Sequence, residues 1–264
     1  MSKKFHVIAG LPRSGSTLLC NLLNQNPKFH ATETSALPRI LTSVKAGWEN
    51  ILENVASNNI NKKEAVLKSI VQGYFGDIDR EVIFDRNRAW ASEPELAKLV
   101  FGGGTKIIVC VRNLVDILAS FEKLYRNNNA IFDIIDKKAL GENFITVEQR
   151  CDTWASTKGP IGSSLLSLQE LMLRSHKNLK IVEFDTLISD TQGTLDQIYA
   201  FIGEDSYEHD LNNIEQTTHE DDRFHGILGL HNIQNKINIP VSNSRLILGD
   251  AIYKKYNGGE FWRK

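Results

Sequence analysis

The chain has 264 residues, of which 41% are hydrophobic and 24% are charged, and its formal net charge at pH 7 is −1. This composition excludes a mostly disordered chain, and the balanced charge gives no indication of nucleic-acid binding. No apolar run approaches the roughly 18 residues of a membrane span, and no signal-peptide core precedes the first predicted strand, so we expect a cytoplasmic protein without a membrane partner. The three cysteines form no C-x-x-C pair, which indicates reduced core thiols.

Residues 5–24 have the pattern of a buried strand, a loop of small residues and a helix. An apolar run ends at Gly10, and leucines recur at helical spacing from Leu18. The loop between them reads Gly10-Leu11-Pro12-Arg13-Ser14-Gly15-Ser16-Thr17. Free N–H groups and the dipole at a helix start favour a phosphate, and the serine and threonine hydroxyls are further donors. We therefore predict an anion site in this loop; the alternative is a serine-rich turn that caps the helix.

This loop differs from the nucleoside-triphosphatase loop, G-x-x-x-x-G-K-S/T, at one position. Gly10 and Gly15 keep the spacing, but Ser16 stands where the lysine belongs, and the cation is Arg13 inside the loop. That lysine reaches the β- and γ-phosphates, so its absence weakens the case for ATP hydrolysis or phosphoryl transfer. The loop is more typical of a cradle for a single terminal phosphate.

The remaining pattern alternates strands with helices. A polar connection is predicted at residues 29–35, and a loop-rich insertion at 127–145. We predict further strands at 81–84, 106–111 and 179–184. We predict helices at about 37–48, 62–75, 92–101, 114–125, 146–174 with a break at Gly159-Pro160, 186–202 and 244–256. This order predicts an α/β fold with a central parallel β-sheet flanked by helices, and a ligand site at the carboxyl edge of the strands.

A second anion site is predicted where the strand at 106–111 ends. Arg112 follows that strand, and Ser120 lies eight residues later on the polar face of the next helix. Arginine can bind phosphate oxygens with two donors, and serine adds a neutral donor. Alone, the pair reads equally well as an arginine at a sheet edge and a solvated serine. Together with the Arg13 loop, it fits the two ends of one doubly phosphorylated nucleotide.

Two of these motifs resemble those of one enzyme family. Residues 12–19, PRSGSTLL, look like the 5′-phosphosulfate loop of sulfotransferases that use 3′-phosphoadenosine 5′-phosphosulfate (PAPS). Residues 111–121, VRNLVDILASF, look like the family's 3′-phosphate motif. The arginine in the loop is closer to the bacterial and protein-tyrosine branches than to the cytosolic branch. The resemblance implies a P-loop-like sulfotransferase fold over residues 1–264 as a single domain.

The resemblance also implies catalytic residues. Glu33, a few residues before Pro38-Arg39, matches, with a one-residue gap, the glutamate that accepts the acceptor's proton in protein-tyrosine sulfotransferases. An ordinary glutamate has a pKa of about 4.3, so the site would have to raise it or use Glu33 for positioning. The alternative is a capping residue before the next helix. Arg86 falls near the family's lysine beside the sulfuryl group, and with Arg13 it would stabilise charge there; it could instead pair with surface carboxylates.

The C-terminal part of the chain supplies one further motif. Residues 224–233, FHGILGLHNI, resemble the glycine-rich loop that bacterial sulfotransferases place over the nucleotide, which implies cofactor contacts from His231 and Lys236. His219, His225 and His231 recur every six residues, which is not a helical spacing and does not indicate a metal site. They remain rivals of Glu33 as the base.

The resemblance therefore implies a transferase that moves a sulfuryl group from PAPS to a hydroxyl or amine and releases 3′,5′-adenosine diphosphate (PAP), without a metal. The acceptor is a small molecule or a peptide hydroxyl, and a homodimer is left open. One rival is a P-loop small-molecule kinase, which the absence of a clear strand-ending aspartate for Mg²⁺ argues against. The other rival is a catalytically silent nucleotide-binding protein, which Glu33 and Arg86 argue against.

Overall fold

The computed structural model describes residues 3–57, 60–128, 146–174, 177–225, 228–239 and 242–263. Within these residues, five strands form one sheet in the order β2-β3-β1-β4-β5, and every pairing is parallel. The strands are β1 Lys4–Gly10, β2 Phe29–Thr34, β3 Val82–Arg86, β4 Ile107–Val111 and β5 Leu179–Glu183. The predicted α/β class with a parallel central sheet is confirmed. Most of the predicted insertion at 127–145 lies outside the described residues.

Helices cover both faces of the sheet. They are α1 Ser16–Leu23, α2 Leu37–Glu49, α3 Leu52–Ser57, α4 Ile60–Tyr74, α5 Pro94–Phe101, α6 Leu114–Asn127, α7 Val147–Ala155, α8 Pro160–Arg174, α9 Phe184–Ser189, α10 Thr191–Ile202, α11 Ser244–Leu248 and α12 Asp250–Tyr256. Short 3₁₀ turns add Arg88–Ala91, Asp222–His225 and Phe261–Arg263. Within the part of the chain that is described, no helix is both long and apolar enough to cross a membrane.

The sheet separates two apolar layers because neighbouring strand residues point to opposite faces. In β1, Val7 packs into the layer that contains Trp90 and Trp154, whereas Ile8 packs into the layer that contains Leu19. Every residue of β3 and β4 is buried. Such double burial explains why these strands read as unbroken apolar runs and not as alternating patterns.

The strand order sets the location of the site. β1 lies between β3 and β4, and the chain leaves β1 toward one side and β4 toward the other. In parallel sheets, such a switch point opens a crevice at the carboxyl ends of the strands. The loop after β1, Arg86 at the end of β3 and Arg112 after β4 therefore meet at one edge.

Residues 29–35 are an exception, because the prediction of a polar connection there is wrong. Residues 29–34 form β2, an edge strand that pairs only with β3 among the described strands. Phe29 and Ala31 are buried, while Glu33 and Thr34 at the other end are exposed. The strand's short apolar half was too brief to stand out in the sequence. Two predicted helices are also divided, at Asp190 and at Gly249.

Candidate active site

The loop between β1 and α1 is anchored to the sheet by Ser14. Its buried hydroxyl lies 2.5 Å from the Leu11 carbonyl and 2.9 Å from the Cys110 carbonyl. The hydroxyl is therefore engaged within the protein. Gly15 takes a left-handed conformation before α1, and no acidic residue stands in the first turn of that helix. The helix start consequently keeps its preference for an anion.

Arg13 connects the two predicted anion sites. Its backbone has a φ of +57°, a conformation that residues other than glycine rarely adopt. Its Nε donates to the Ser120 hydroxyl at 3.0 Å, and its Nη1 donates to the Leu230 carbonyl. Arg112 Nη1 donates to the Arg13 carbonyl at 3.2 Å. The two sites are therefore adjacent, and they share Arg13 and Ser120.

The electrostatics of this cluster favour an anion. Burial, and then the neighbouring charge of Arg112, lower the pKa of Arg13 to about 10, so Arg13 stays protonated at neutral pH. Burial also lowers the pKa of Arg112, although Asp116 and Asp185 oppose that shift. Two adjacent guanidinium groups repel each other, and an oxyanion between them would relieve that repulsion. The proximity of the two guanidinium groups therefore favours an anion at this edge of the sheet.

The Arg112 guanidinium is fixed in position, but not all of its N–H groups have a hydrogen-bond partner among the described residues. Its guanidinium lies 4.2 Å from the centre of the Phe184 ring, which fixes its plane. Its Nε is buried and has no hydrogen-bond partner among the described residues. A buried donor without a partner is costly, so this N–H is a group that a bound ligand would satisfy.

Arg86 approaches the loop from β3. Its Nη1 donates to the Thr17 hydroxyl at 3.0 Å, and its Nη2 pairs with Glu220. Only 7% of its side chain is exposed, and its Nε has no hydrogen-bond partner among the described residues. The structure thus brings Arg86 to the first turn of α1, beside Thr17.

Glu220, Asp222 and His231 form a cluster that the sequence analysis missed in part. Glu220 accepts hydrogen bonds from the backbone N–H and the hydroxyl of Thr34, both at 2.9 Å. His231 Nδ1 lies 2.6 Å from Asp222 Oδ1 and 3.4 Å from Glu220 Oε2. Burial lowers the pKa of His231, although the Asp222 hydrogen bond opposes that shift. The acidic run 220–222 was visible in the sequence, but nothing indicated which of its members would turn inward.

Three other residues that the sequence singled out are exposed and do not join the buried cluster of Glu220, Asp222 and His231. Glu33, Lys236 and His219 have exposed side chains, and the His225 side chain lies outside the described residues. Glu33 nevertheless stands between two anchored residues: Thr32, whose hydroxyl accepts the Arg86 backbone N–H at 2.9 Å, and Thr34, which binds Glu220. Within the described ranges, no group of three His, Cys, Asp or Glu side chains could hold a metal ion.

β3 carries an aspartate next to its end, contrary to the expectation that no clear strand-ending aspartate is present. Asp85 precedes Arg86, and its Oδ2 accepts a hydrogen bond from the Trp90 indole at 3.0 Å. Burial raises the pKa of Asp85 to about 6, although hydrogen bonds from Ser35, Trp90 and Thr32 oppose that shift. Because residues alternate along a strand, Asp85 lies on the sheet face opposite Arg86 and α1. The carboxylate therefore points away from the loop.

Comparisons with known proteins agree with this geometry. The family model described as "Sulfotransferase domain" matches residues 4–248. A search of curated proteins finds no significant match. A sulfotransferase domain from the curacin biosynthetic pathway is similar in structure, with 15% identity, a TM-score of 0.56, and 97% of this chain and 99% of that chain covered. The sulfotransferase domain of the Synechococcus PCC 7002 olefin synthase has 17% identity, a TM-score of 0.50, and 90% of this chain and 85% of that chain covered. Retinol dehydratase in a complex with retinol and PAP has 12% identity, a TM-score of 0.52, and 100% of this chain and 81% of that chain covered.

At these low sequence identities, the structural similarity shows that the fold is shared and shows nothing about activity. The family match covers most of the chain, and it coincides with the loop, Arg86 and the Arg112 motif. This chain belongs to the sulfotransferase domain family.

Proposed function

We propose that the chain acts as one domain over residues 1–264, which transfers a sulfuryl group from PAPS to a hydroxyl or amine acceptor and releases PAP. The observation that carries this proposal is the convergence of Arg13, Arg112 and Ser120 on the loop at the start of α1. Two adjacent anion sites suit a nucleotide that is phosphorylated at both its 3′ and 5′ positions. The PAP-bound retinol dehydratase structure, which shares the fold, supports this choice of nucleotide.

The residues present fit this nucleotide. The backbone N–H groups of residues 14–17, with the hydroxyls of Ser16 and Thr17, would hold the 5′ end. The unpartnered Nε of Arg112 and the Ser120 hydroxyl would hold the 3′-phosphate. Pro12 would restrict the backbone where the chain enters the loop. His231 and Lys236 would contact the nucleotide from the C-terminal segment, which comprises residues 203–263.

Charge stabilisation would come from two arginines. Sulfuryl transfer, like phosphoryl transfer, depends mainly on positioning and on neutralising charge that develops on oxygens. Arg13 would neutralise the oxygen that leaves with PAP. Arg86, beside Thr17 and with a free buried Nε, would bind the sulfuryl oxygens. PAPS is an activated mixed anhydride, so these cations take the place that Mg²⁺ holds in kinases.

Glu33 is our proposed base. Its carboxylate is exposed at the end of β2, where an acceptor can approach, and the anchored Thr32 and Thr34 on either side fix its backbone near Arg86. His231 is the second candidate, because its hydrogen bond to Asp222 favours the tautomer protonated at Nδ1 and leaves Nε2 as the basic nitrogen. Burial lowers the pKa of His231, which favours the neutral form that a base requires.

Glu33→Gln and His231→Gln distinguish the two bases. Turnover with PAPS is measured on a panel of phenols and alcohols, and PAP binding is measured by calorimetry. We expect Glu33→Gln to lower turnover roughly 100-fold and leave PAP affinity unchanged, because glutamine keeps the shape but loses the basicity. The loss should shrink as the acceptor's own pKa falls.

The control is Glu53→Gln, which changes an exposed carboxylate on α3 and should leave turnover unchanged. An active Glu33→Gln enzyme together with an inactive His231→Gln enzyme would assign the base to His231.

A further inference from the structure

Glu220 is a buried carboxylate in the C-terminal segment, and the proposed reaction does not yet assign it a role. Only 6% of its side chain is exposed. It binds Thr34 through two hydrogen bonds of 2.9 Å, and it pairs with Nη2 of Arg86. Residues 34, 86 and 220 belong to β2, β3 and the C-terminal segment, so three distant parts of the chain meet at this carboxylate.

The charge balance around Glu220 favours its ionised form. Burial alone would raise the pKa of Glu220, but the Arg86 charge, the Thr34 hydrogen bonds and His231 together lower it. A buried carboxylate is tolerated only where such partners replace water. Asp222, the other carboxylate near His231, is engaged with the His231 ring and backbone N–H, so it does not compete for Arg86.

The contacts fix the plane of the Arg86 guanidinium. Nη1 is bound to Thr17 on α1, and Nη2 is bound to Glu220, so the two ends of the planar fork are tied to different elements. A free arginine side chain has many rotamers, and holding it in one costs conformational entropy. With both ends tied, the buried Nε, which has no hydrogen-bond partner among the described residues, also has a defined position.

We propose that Glu220 is a positioning residue, which holds the Arg86 guanidinium against the anion loop so that it binds the sulfuryl group of PAPS. This inference rests on the proposed function, because it assigns Arg86 to the sulfuryl group. Glu220 itself exchanges no proton and touches no reacting atom. Its effect is exerted entirely through Arg86.

The test compares the affinities of PAPS and PAP, which differ only in the sulfuryl group. Calorimetry on the full chain measures both ligands for the wild type, Glu220→Gln, Arg86→Met and the double variant. We expect Glu220→Gln to reduce the preference for PAPS over PAP about tenfold, because a charge-assisted hydrogen bond is misaligned, while PAP affinity changes less than about threefold. Arg86→Met should reduce the same preference at least as much, and the double variant should lose no more than Arg86→Met.

A merely structural role would weaken both ligands together and would lower the melting temperature without changing their ratio. The control is Asp221→Asn, which removes the adjacent exposed carboxylate that pairs with Arg223 and should leave the ratio unchanged. If Glu220→Gln does not fold, Thr34→Ala replaces it, since it removes one hydrogen bond to Glu220 and keeps the charge. Thr34→Ala should reduce the preference for PAPS over PAP by less than Glu220→Gln does, and it should cause no further reduction when combined with Arg86→Met.

The outcomes separate the two proposals. A wild-type chain that binds no PAP contradicts the proposed function and this inference with it. A wild-type chain that prefers PAPS, combined with an unchanged ratio in Glu220→Gln or with independent losses in the double variant, overturns the role of Glu220 alone.

Discussion

Three arginine side chains, those of Arg13, Arg86 and Arg112, lie at the carboxyl edge of the sheet. Arg112 and Arg86 each retain a buried Nε without a partner among the described residues, and Arg13 holds a backbone conformation that is rare outside glycine. Unsatisfied donors and local strain both cost free energy, and such features concentrate at ligand sites. We therefore regard the three arginines as one anion-binding unit.

Arg112→Ala tests the proposed 3′-phosphate site. Because Arg112 lies beside Ser120 and Arg13, its loss should weaken PAP at least about tenfold, the usual effect of losing a charge-assisted hydrogen bond. Adenosine 5′-phosphate, which lacks the 3′-phosphate, should lose much less. Calorimetry with both ligands gives the comparison, and Arg245→Ala, an exposed arginine paired with Asp250, is the matched control. Equal losses for the two nucleotides would remove Arg112 from this role.

Residue-level prediction depended on position after a strand. Arg13, Arg112 and Ser120 were identified because each follows a strand or lies on the next helix, and Arg86 was identified from the family resemblance. The structure brings these residues to one edge of the sheet. Glu220 was missed because its partner, Arg86, is 134 residues away and its segment has no helical or strand period. A single sequence contains no signal for such a pairing.

At the scale of elements, the doubly buried strands were predictable and the edge strand was not. The strands predicted at 81–84 and 106–111 contain the unbroken apolar runs 82–84 and 107–111, which are typical of buried parallel strands, and they correspond to β3 and β4. β2 has a polar half that contains Glu33 and Thr34, and this half made the segment read as a loop. The polar, exposed half of this edge strand is thus the reason for its weak strand signal.

Gly10 tests how closely β1 and β4 approach at the site. It has a φ of +129°, and an added Cβ would lie 2.1 Å from the Cys110 carbonyl oxygen and 2.6 Å from the Cys110 nitrogen. Gly10→Ala must push β4 away or distort the loop, so we expect a loss of on the order of 3 kcal/mol in the free energy of unfolding, together with loss of PAP binding.

Chemical denaturation measures this loss. Gly47→Ala in α2 is the matched control, because an added Cβ there meets nothing within 4 Å. That change should stabilise the chain by about 0.5–1 kcal/mol. A Gly10→Ala chain as stable as the wild type would show that the strands can separate without cost.

At the scale of the whole molecule, the C-terminal segment packs against the loop after β1 and against α1. Asn21 and Asn24 on and after α1 bind Thr218 and Thr217, each at 2.9 Å, and the Leu230 carbonyl receives Arg13. The sequence predicted only one regular element in this segment, the helix at 244–256. Its packing over the loop depends on long-range contacts, which explains why only the family resemblance placed it near the nucleotide.

The central claim, that the chain binds a nucleotide phosphorylated at both ends, is tested most directly by calorimetry with PAP and with ATP, each with and without Mg²⁺. The loop has Ser16 in place of the lysine that reaches a γ-phosphate, and Arg112 lies beside Arg13. We therefore predict that PAP binds without Mg²⁺ and at least about tenfold more tightly than ATP under any of these conditions. Tighter binding of ATP in the presence of Mg²⁺ would contradict the account and favour a kinase.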